Sequence, residues 1–157
     1  MTTFRLAAYA VSIQNDRVLL VRCTSAFDDG HWSLPGGAVE HAEDPFDAVV
    51  REVLEETGCT GVVERLLGVD SRVIPAAERH LPEKGVHQNI GVFYQVRVTG
   101  EPRPEPNGST TDPVWTPLAD VPSLRRAALV DVGLALAAGR PPTGHVAAVP
   151  VGGLVIH

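Results

Sequence analysis

The stretch GGAVEHAEDPFDAVVREVLEETGC, Gly36 to Cys59, decides how the rest of the chain is read. Asp44 can cap a helix whose first position is Pro45, where a missing N–H does least harm. Gly58 is placed to end it, so the spacing predicts a helix over residues 45–57. Phe46, Val49, Val50, Val53 and Leu54 follow the helical period and are expected to form one apolar stripe facing the core. Glu52, Glu55 and Glu56 project within about a third of the circumference, roughly opposite that stripe. Like charges four residues apart, as in Glu52 and Glu56, cost an isolated helix about 0.2 to 0.5 kcal/mol, which a bound cation would offset. Arg51 lies four residues before Glu55 and would neutralise part of the cluster, so a solvated charged face is the alternative.

The surrounding letters decide between these readings. The run contains Gly37, five residues, Glu43, seven residues, Arg51-Glu52, two residues, Glu55-Glu56, one residue and Gly58. Seven fixed letters at fixed spacing arise by chance about once in a million chains of this length, at residue frequencies of about 7%. The segment Gly37 to Cys59, with its lead-in Trp32-Ser33-Leu34-Pro35-Gly36-Gly37, resembles the box of the Nudix hydrolase family (MutT-like). Two positions depart from that pattern. Cys59 stands where the family usually has an aliphatic residue, and Ala42 where a glycine is common before Glu43.

The resemblance implies an α/β fold in which a mixed β-sheet is sandwiched between α-helices, with the box loop and helix forming one wall of the site. Glu52, Glu55 and Glu56 match the family's metal-binding carboxylates, with a backbone carbonyl near Gly36 or Gly37 as a further ligand. Glu43 and Arg51 match supporting positions, where an ion pair would hold the loop on the helix. The implied reaction is hydrolysis of a pyrophosphate bond. Its anionic oxygens repel a nucleophile, so a hard cation on oxygen ligands is needed, magnesium first and manganese as a substitute. Glu55 or Glu56 is the first choice of base. Glu105 and Asp112, in the loop before Trp115, are alternatives as base or extra ligand, and His80 and His87 are alternatives as base.

Outward from the box, Phe4 to Ile13 and Arg17 to Cys23 flank the turn-like Gln14-Asn15-Asp16 and read as a hairpin. Thr24 to His31 reads as a loop. Strands are expected at Val62 to Ile74, with a break near Gly68, and at Val86 to Val98. Pro75 to Gly85 and Gly100 to Pro113 are loops, Val114 to Leu118 a last short strand, and Pro122 to Ala138 a second helix. The expected domain spans residues 1–140. The tail, 141–157, is apolar enough after His145 to add an edge strand or to pair two subunits as a homodimer.

The chain has 157 residues, which suits one core better than two. A net charge of −6, with a single lysine, Lys84, argues against polymeric nucleic acid as a partner, and a small-molecule nucleotide substrate is what the resemblance implies. No stretch has the pattern of a signal peptide or the length of a membrane span, and Cys23 and Cys59 sit in no metal or nucleophile signature. A cytoplasmic protein is therefore expected.

Specificity must come from outside the box, which handles only the diphosphate. Phe27, Trp32, Phe93, Tyr94 and Trp115 are candidates to stack a base, Arg5, Arg72 and Arg79 to bind phosphate, and Asn89 to read a base edge. The expected substrate is a nucleoside diphosphate linked to another moiety, either a nucleoside triphosphate, oxidised or modified forms included, or a compound like a nucleotide-sugar. Two alternatives are a non-catalytic nucleotide-sensing module and an isoprenoid-diphosphate isomerase. The isomerase would bring Cys23 or Cys59 to the metal.

Overall fold

The structure is a computed structural model that describes residues 2–25, 28–104 and 110–157. Two sheets carry the fold. In the first, the order is β5 (Gly36–Ala38), β1 (Thr2–Val11), β7 (Val86–Thr99), β6 (Thr60–Ile74). Strands β1 and β7 run parallel and the outer pairs antiparallel, so this sheet is mixed. The second sheet joins β2 (Ile13–Gln14), β3 (Arg17–Ser25), β4 (Asp28–Ser33), β9 (Arg126–Ala127) and β10 (Val155–Ile156), with β8 (Thr110–Pro117) also paired to β3.

Alternation along β1 divides the core. Ala7, Tyr9 and Val11 point to a cluster with Phe93, Leu34 and the second helix, α2 (Ala128–Gly139), through Val130, Val132 and Leu136. Ala8 and Ala10 point the other way, to Val96 and to the first helix, α1 (Pro45–Thr57), through Ala48, Val49 and Val53. The mixed sheet thus lies between two helices, the α/β arrangement expected from the sequence.

Helix α1 has the predicted bounds, 45–57. Asp44 Oδ1 accepts the Phe46 N–H at 2.8 Å, and Gly58, at φ 71°, donates its N–H to the Leu54 carbonyl at 2.9 Å. The predicted stripe faces the core only in part: Val49 and Val53 are buried and Val50 packs against the core. Ala48, Val49, Val53, Glu56 and Thr57 are buried, whereas Phe46 and Leu54 are 49% and 54% exposed. The helix is rolled so that the Glu52 and Glu56 edge meets the Gly36-Gly37 loop. Phe46 instead meets Tyr94 edge-on, with ring centres 6.2 Å apart.

Other expectations are corrected. Strands β1 and β3 belong to different sheets, and the hairpin is only the short β2–β3 pair around Asn15 and Asp16, both at left-handed φ. The expected loop from Thr24 to His31 contains the start of β4. The second helix begins at Ala128 rather than Pro122, because a 3-10 turn, Leu118–Ser123, and the extended β9 precede it. Strand β6 carries irregularities at Val63/Arg65 and Leu66/Gly68, the second at the expected break. The last residues cross the sheet edge. The Val69 N–H donates to the Gly144 carbonyl at 3.0 Å, Arg72 reaches the Val149 carbonyl, and β10 pairs in parallel with β9.

Candidate active site

Arg51 organises the box. Its Nε and Nη2 donate to Glu43 Oε1 and Oε2 at 2.8 and 3.0 Å, its Nη2 also to the Ala38 carbonyl at 3.1 Å. Nη1 bridges Glu52 Oε1 and Glu55 Oε2 at 3.0 and 3.1 Å. One guanidinium therefore ties the loop before α1, the helix and the end of β5 together, a use of arginine's fixed fork that lysine cannot copy. The Arg51 guanidinium holds the Glu43 carboxyl down at about 2. Glu52 goes the other way: burial pushes its carboxyl up, against the pull of Arg51.

Glu56 is 6% exposed, and its Oε2 accepts the Gly36 N–H at 3.0 Å. Gly37 keeps space open beside Glu52, since a Cβ there would stand 2.5 Å from Glu52 Oε1. At Gly36 a Cβ would collide with the Ala8 carbonyl and Tyr9. The glycine pair is thus required by the close approach of β5 to β1 and of Glu52 to the loop.

Among the described residues no three His, Cys, Asp or Glu side chains stand together in cation-binding geometry, because Arg51 draws Glu52 and Glu55 while Gly36 draws Glu56. The donor set nevertheless suits a hard divalent cation. Its donors are carboxylate oxygens on one helix edge, two of them on side chains largely withdrawn from solvent, and Glu52 carries a charge that burial disfavours.

Glu56 and Gly36 form one end of a cavity of about 400 Å³ between the two sheets. The first sheet contributes Arg5, Tyr9, His87, Asn89 and Arg72. The second contributes Cys23, His31 and Ser33, and His157 closes the outer end. His87 accepts or donates at Thr3 Oγ1 over 2.7 Å, and burial lowers its pKa, favouring the neutral ring. Burial raises the Tyr9 phenol and keeps it protonated. Tyr9 and His31 were not singled out from the sequence. The alternation of Arg5, Ala7 and Tyr9 marks one face of β1, but only the fold shows that this face lines a cavity.

Several candidates lie elsewhere. Phe27 and Glu105 fall outside the described residues. Asp112 is exposed, at φ 51°, beside Thr111 and away from the cavity lining. Trp115 borders a second cavity on the far side with Gln14, Gln95 and Arg140. Trp32 packs on the core, and Phe93 borders the cavity but is only 1% exposed. Arg79 braces its own loop through Thr3 and the Gly85 carbonyl, and His80 lines a neighbouring groove. Cys59 is buried near the Gly100 carbonyl. Cys23 does line the cavity, but the carboxylates there, among the described residues, are Glu56 of the box and Asp70.

The model of the NUDIX domain family matches residues 3–134. The chain belongs to the NUDIX family. Diphosphoinositol polyphosphate phosphohydrolase 2 of Mus musculus is 50% identical to this NUDIX chain over 58 residues, 37% of the chain and 31% of that protein. The match thus spans about a third of the length of such curated relatives. A NUDIX hydrolase from Nitrosomonas europaea shares the fold, with a TM-score of 0.70 and 24% identity over 87% of this chain and 90% of that one. An ADP-ribose pyrophosphatase from Streptococcus suis superposes with a TM-score of 0.60 and 27% identity, covering 90% of this chain and 96% of its own. Among the described residues no helix is long and apolar enough to cross a membrane.

Proposed function

We propose that this NUDIX chain hydrolyses the pyrophosphate bond of a nucleoside diphosphate linked to a second moiety, with Glu52, Glu55 and Glu56 holding magnesium, or manganese in its place. The observation that carries the reading is Glu56, buried on the Gly36 N–H at the inner end of a cavity large enough for a small phosphorylated ligand. The relatives named as a phosphohydrolase and as an ADP-ribose pyrophosphatase support the same class of reaction.

A divalent cation at these carboxylates supplies charge neutralisation of the phosphates and acidification of the attacking water. The chain's own residues do the rest. Gly36 N–H fixes the Glu56 carboxylate, and Arg51 sets Glu52 and Glu55 on the same helix edge. Gly37 lets the Glu52 carboxylate pack directly against β5. Glu55, 49% exposed, is the carboxylate with free access to solvent, and we assign it the proton of the attacking water. Neutral His87 and protonated Tyr9 offer uncharged hydrogen bonds to the substrate further along the cavity.

The test is release of phosphate or pyrophosphate from a panel of nucleoside triphosphates and nucleoside diphosphate derivatives with magnesium or manganese. Metal-dependent turnover that falls at least a hundredfold in Glu55→Gln and Glu56→Gln is the expected result. Nucleotide binding without turnover anywhere in the panel would replace the hydrolase by a sensing module.

A further inference from the structure

The cavity has a second chemical centre beyond the box. In the sheet register Arg5 stands opposite Asn89, and Asn89 opposite Arg72, so these residues form one rung across three neighbouring strands. All three line the cavity. The rung nearer the box is Tyr9 and Phe93, with Tyr9 also opposite Gly36. Between the two rungs lie Ala7 and Gly91, and the Tyr9 ring lies over Gly91, where a Cβ would meet it at 2.9 Å.

Four residues separate Tyr9 from Arg5, so at about 3.3 Å per residue the rungs are about 13 Å apart. The Tyr9 side chain bridges this backbone separation, its hydroxyl reaching Asn89, so a ligand engaging both the box and the far rung runs along Tyr9 and carries a sugar-sized or polyol-sized body beyond its pyrophosphate. The side chains on the far rung are mostly donors. Asn89 Nδ2 donates to the Tyr9 hydroxyl at 3.3 Å and keeps a second N–H. Arg72 is steadied by the Val149 carbonyl at 3.3 and 3.4 Å, long contacts that leave its other N–H groups open. The Arg5 side chain forms no hydrogen bond or ion pair among the described residues. Opposing them, among the described lining residues outside the box, is the single carboxylate of Asp70. Among the described lining residues neither Tyr9 nor Phe93 presents an open ring face as a base platform, being 5% and 1% exposed.

We infer that the Arg5–Asn89–Arg72 rung binds a second anionic group, a phosphate or carboxylate carried by the sugar-sized or polyol-sized moiety at a distance from the scissile pyrophosphate. Two guanidiniums flanking an amide match an oxyanion's lone pairs. The inference rests on the hydrolase reading for the place of the pyrophosphate, but its test does not need turnover.

The experiment is calorimetric binding of myo-inositol hexakisphosphate in the absence of divalent cations, to the full chain, to Arg5→Gln/Arg72→Gln and to Arg65→Gln. Arg65 is an exposed arginine outside this cavity and controls for bulk charge. The expected result is a Kd at least tenfold higher in the double variant alone, the loss of charge-assisted hydrogen bonds. Equal binding by all three, or none by the wild type, overturns the rung. A second arm compares turnover of a diphosphorylated polyol phosphate, a nucleotide-sugar and a nucleoside triphosphate. A rung that serves the distal moiety makes the Arg5→Gln/Arg72→Gln loss largest for the polyol phosphate. A loss largest for the triphosphate would move the bound anion to the polyphosphate chain and overturn the placement. Absence of metal-dependent turnover would overturn the hydrolase reading and leave the binding result standing.

Discussion

Arg51 and Glu43 meet fork to fork, Nε to Oε1 at 2.8 Å and Nη2 to Oε2 at 3.0 Å, across the boundary between the loop before α1 and the helix itself. The pair holds the Glu43 carboxyl at about 2, below its ordinary 4.5. A depressed acid contributes stability that is present above the unfolded value and lost as pH falls through the folded one. Wild type should therefore lose its advantage over Glu43→Gln between about pH 4.5 and 2, with a Tm a few degrees higher at pH 7. Arg51→Lys should fall between them, keeping the charge but not the fork. Thermal melts across that pH range check this, and superimposable curves at pH 7 would remove the pair from the forces that hold the loop.

Gly37 tests the space beside Glu52. Its Cβ would stand 2.5 Å from Glu52 Oε1 and 2.7 Å from Cδ, so Gly37→Ala must push the carboxylate away or shift β5. The contact is with the end of a flexible side chain, so folding is little affected while the carboxylate is displaced. The expected outcome is a chain that still folds, by circular dichroism, but whose metal-dependent turnover drops more than tenfold. Full turnover in Gly37→Ala would mean that Glu52 needs no close approach to the loop.

How much of this was legible beforehand depends on the range of the cause. The bounds of α1 follow from Asp44, Pro45 and Gly58, all local, and the long strands β6 and β7 follow from their β-formers. The apolar spacing finds only the middle of the face that α1 buries, Val49, Val50 and Val53. Glu56 and Thr57 are drawn in by the loop and sheet, and Phe46 and Leu54 are left out. The start of α2 was misplaced because Leu124, counted in the helical period, lies in extended chain before β9, where the Arg126 side chain pairs with Asp131. The rung of Arg5, Asn89 and Arg72 depends on a parallel register between strands about eighty residues apart, which no local pattern encodes.

Ser12 carries a buried conflict. It is 2% exposed, its carbonyl accepts the Leu19 N–H at 3.0 Å, and its hydroxyl has no partner among the described residues. An unpaired hydroxyl withdrawn from water costs about 1–3 kcal/mol. Ser12→Ala should therefore be neutral or more stable by up to about 1 kcal/mol in urea unfolding. A clear loss of stability would show that the hydroxyl is satisfied in solution.

Ala42 and Gly58 flank the box helix in the same left-handed region, at φ 62° and 71°, and should respond in opposite directions. Ala42 is the position where the sequence departs from the glycine common in the family, and it is exposed. A left-handed conformation costs a residue with a Cβ about 1–2 kcal/mol, whereas glycine adopts it freely at the expense of a more flexible unfolded chain. Ala42→Gly should therefore gain up to about 1 kcal/mol net. Gly58→Ala loses at least as much, because its Cβ would also stand 2.5 Å from the Arg103 side chain. Denaturant midpoints of the two variants at a common m-value check both signs. A loss in Ala42→Gly would mean that the turn before Glu43 is held by more than its backbone angle, with the Glu40 N–H bond to Glu43 Oε2 at 2.9 Å as the first contact to remove next.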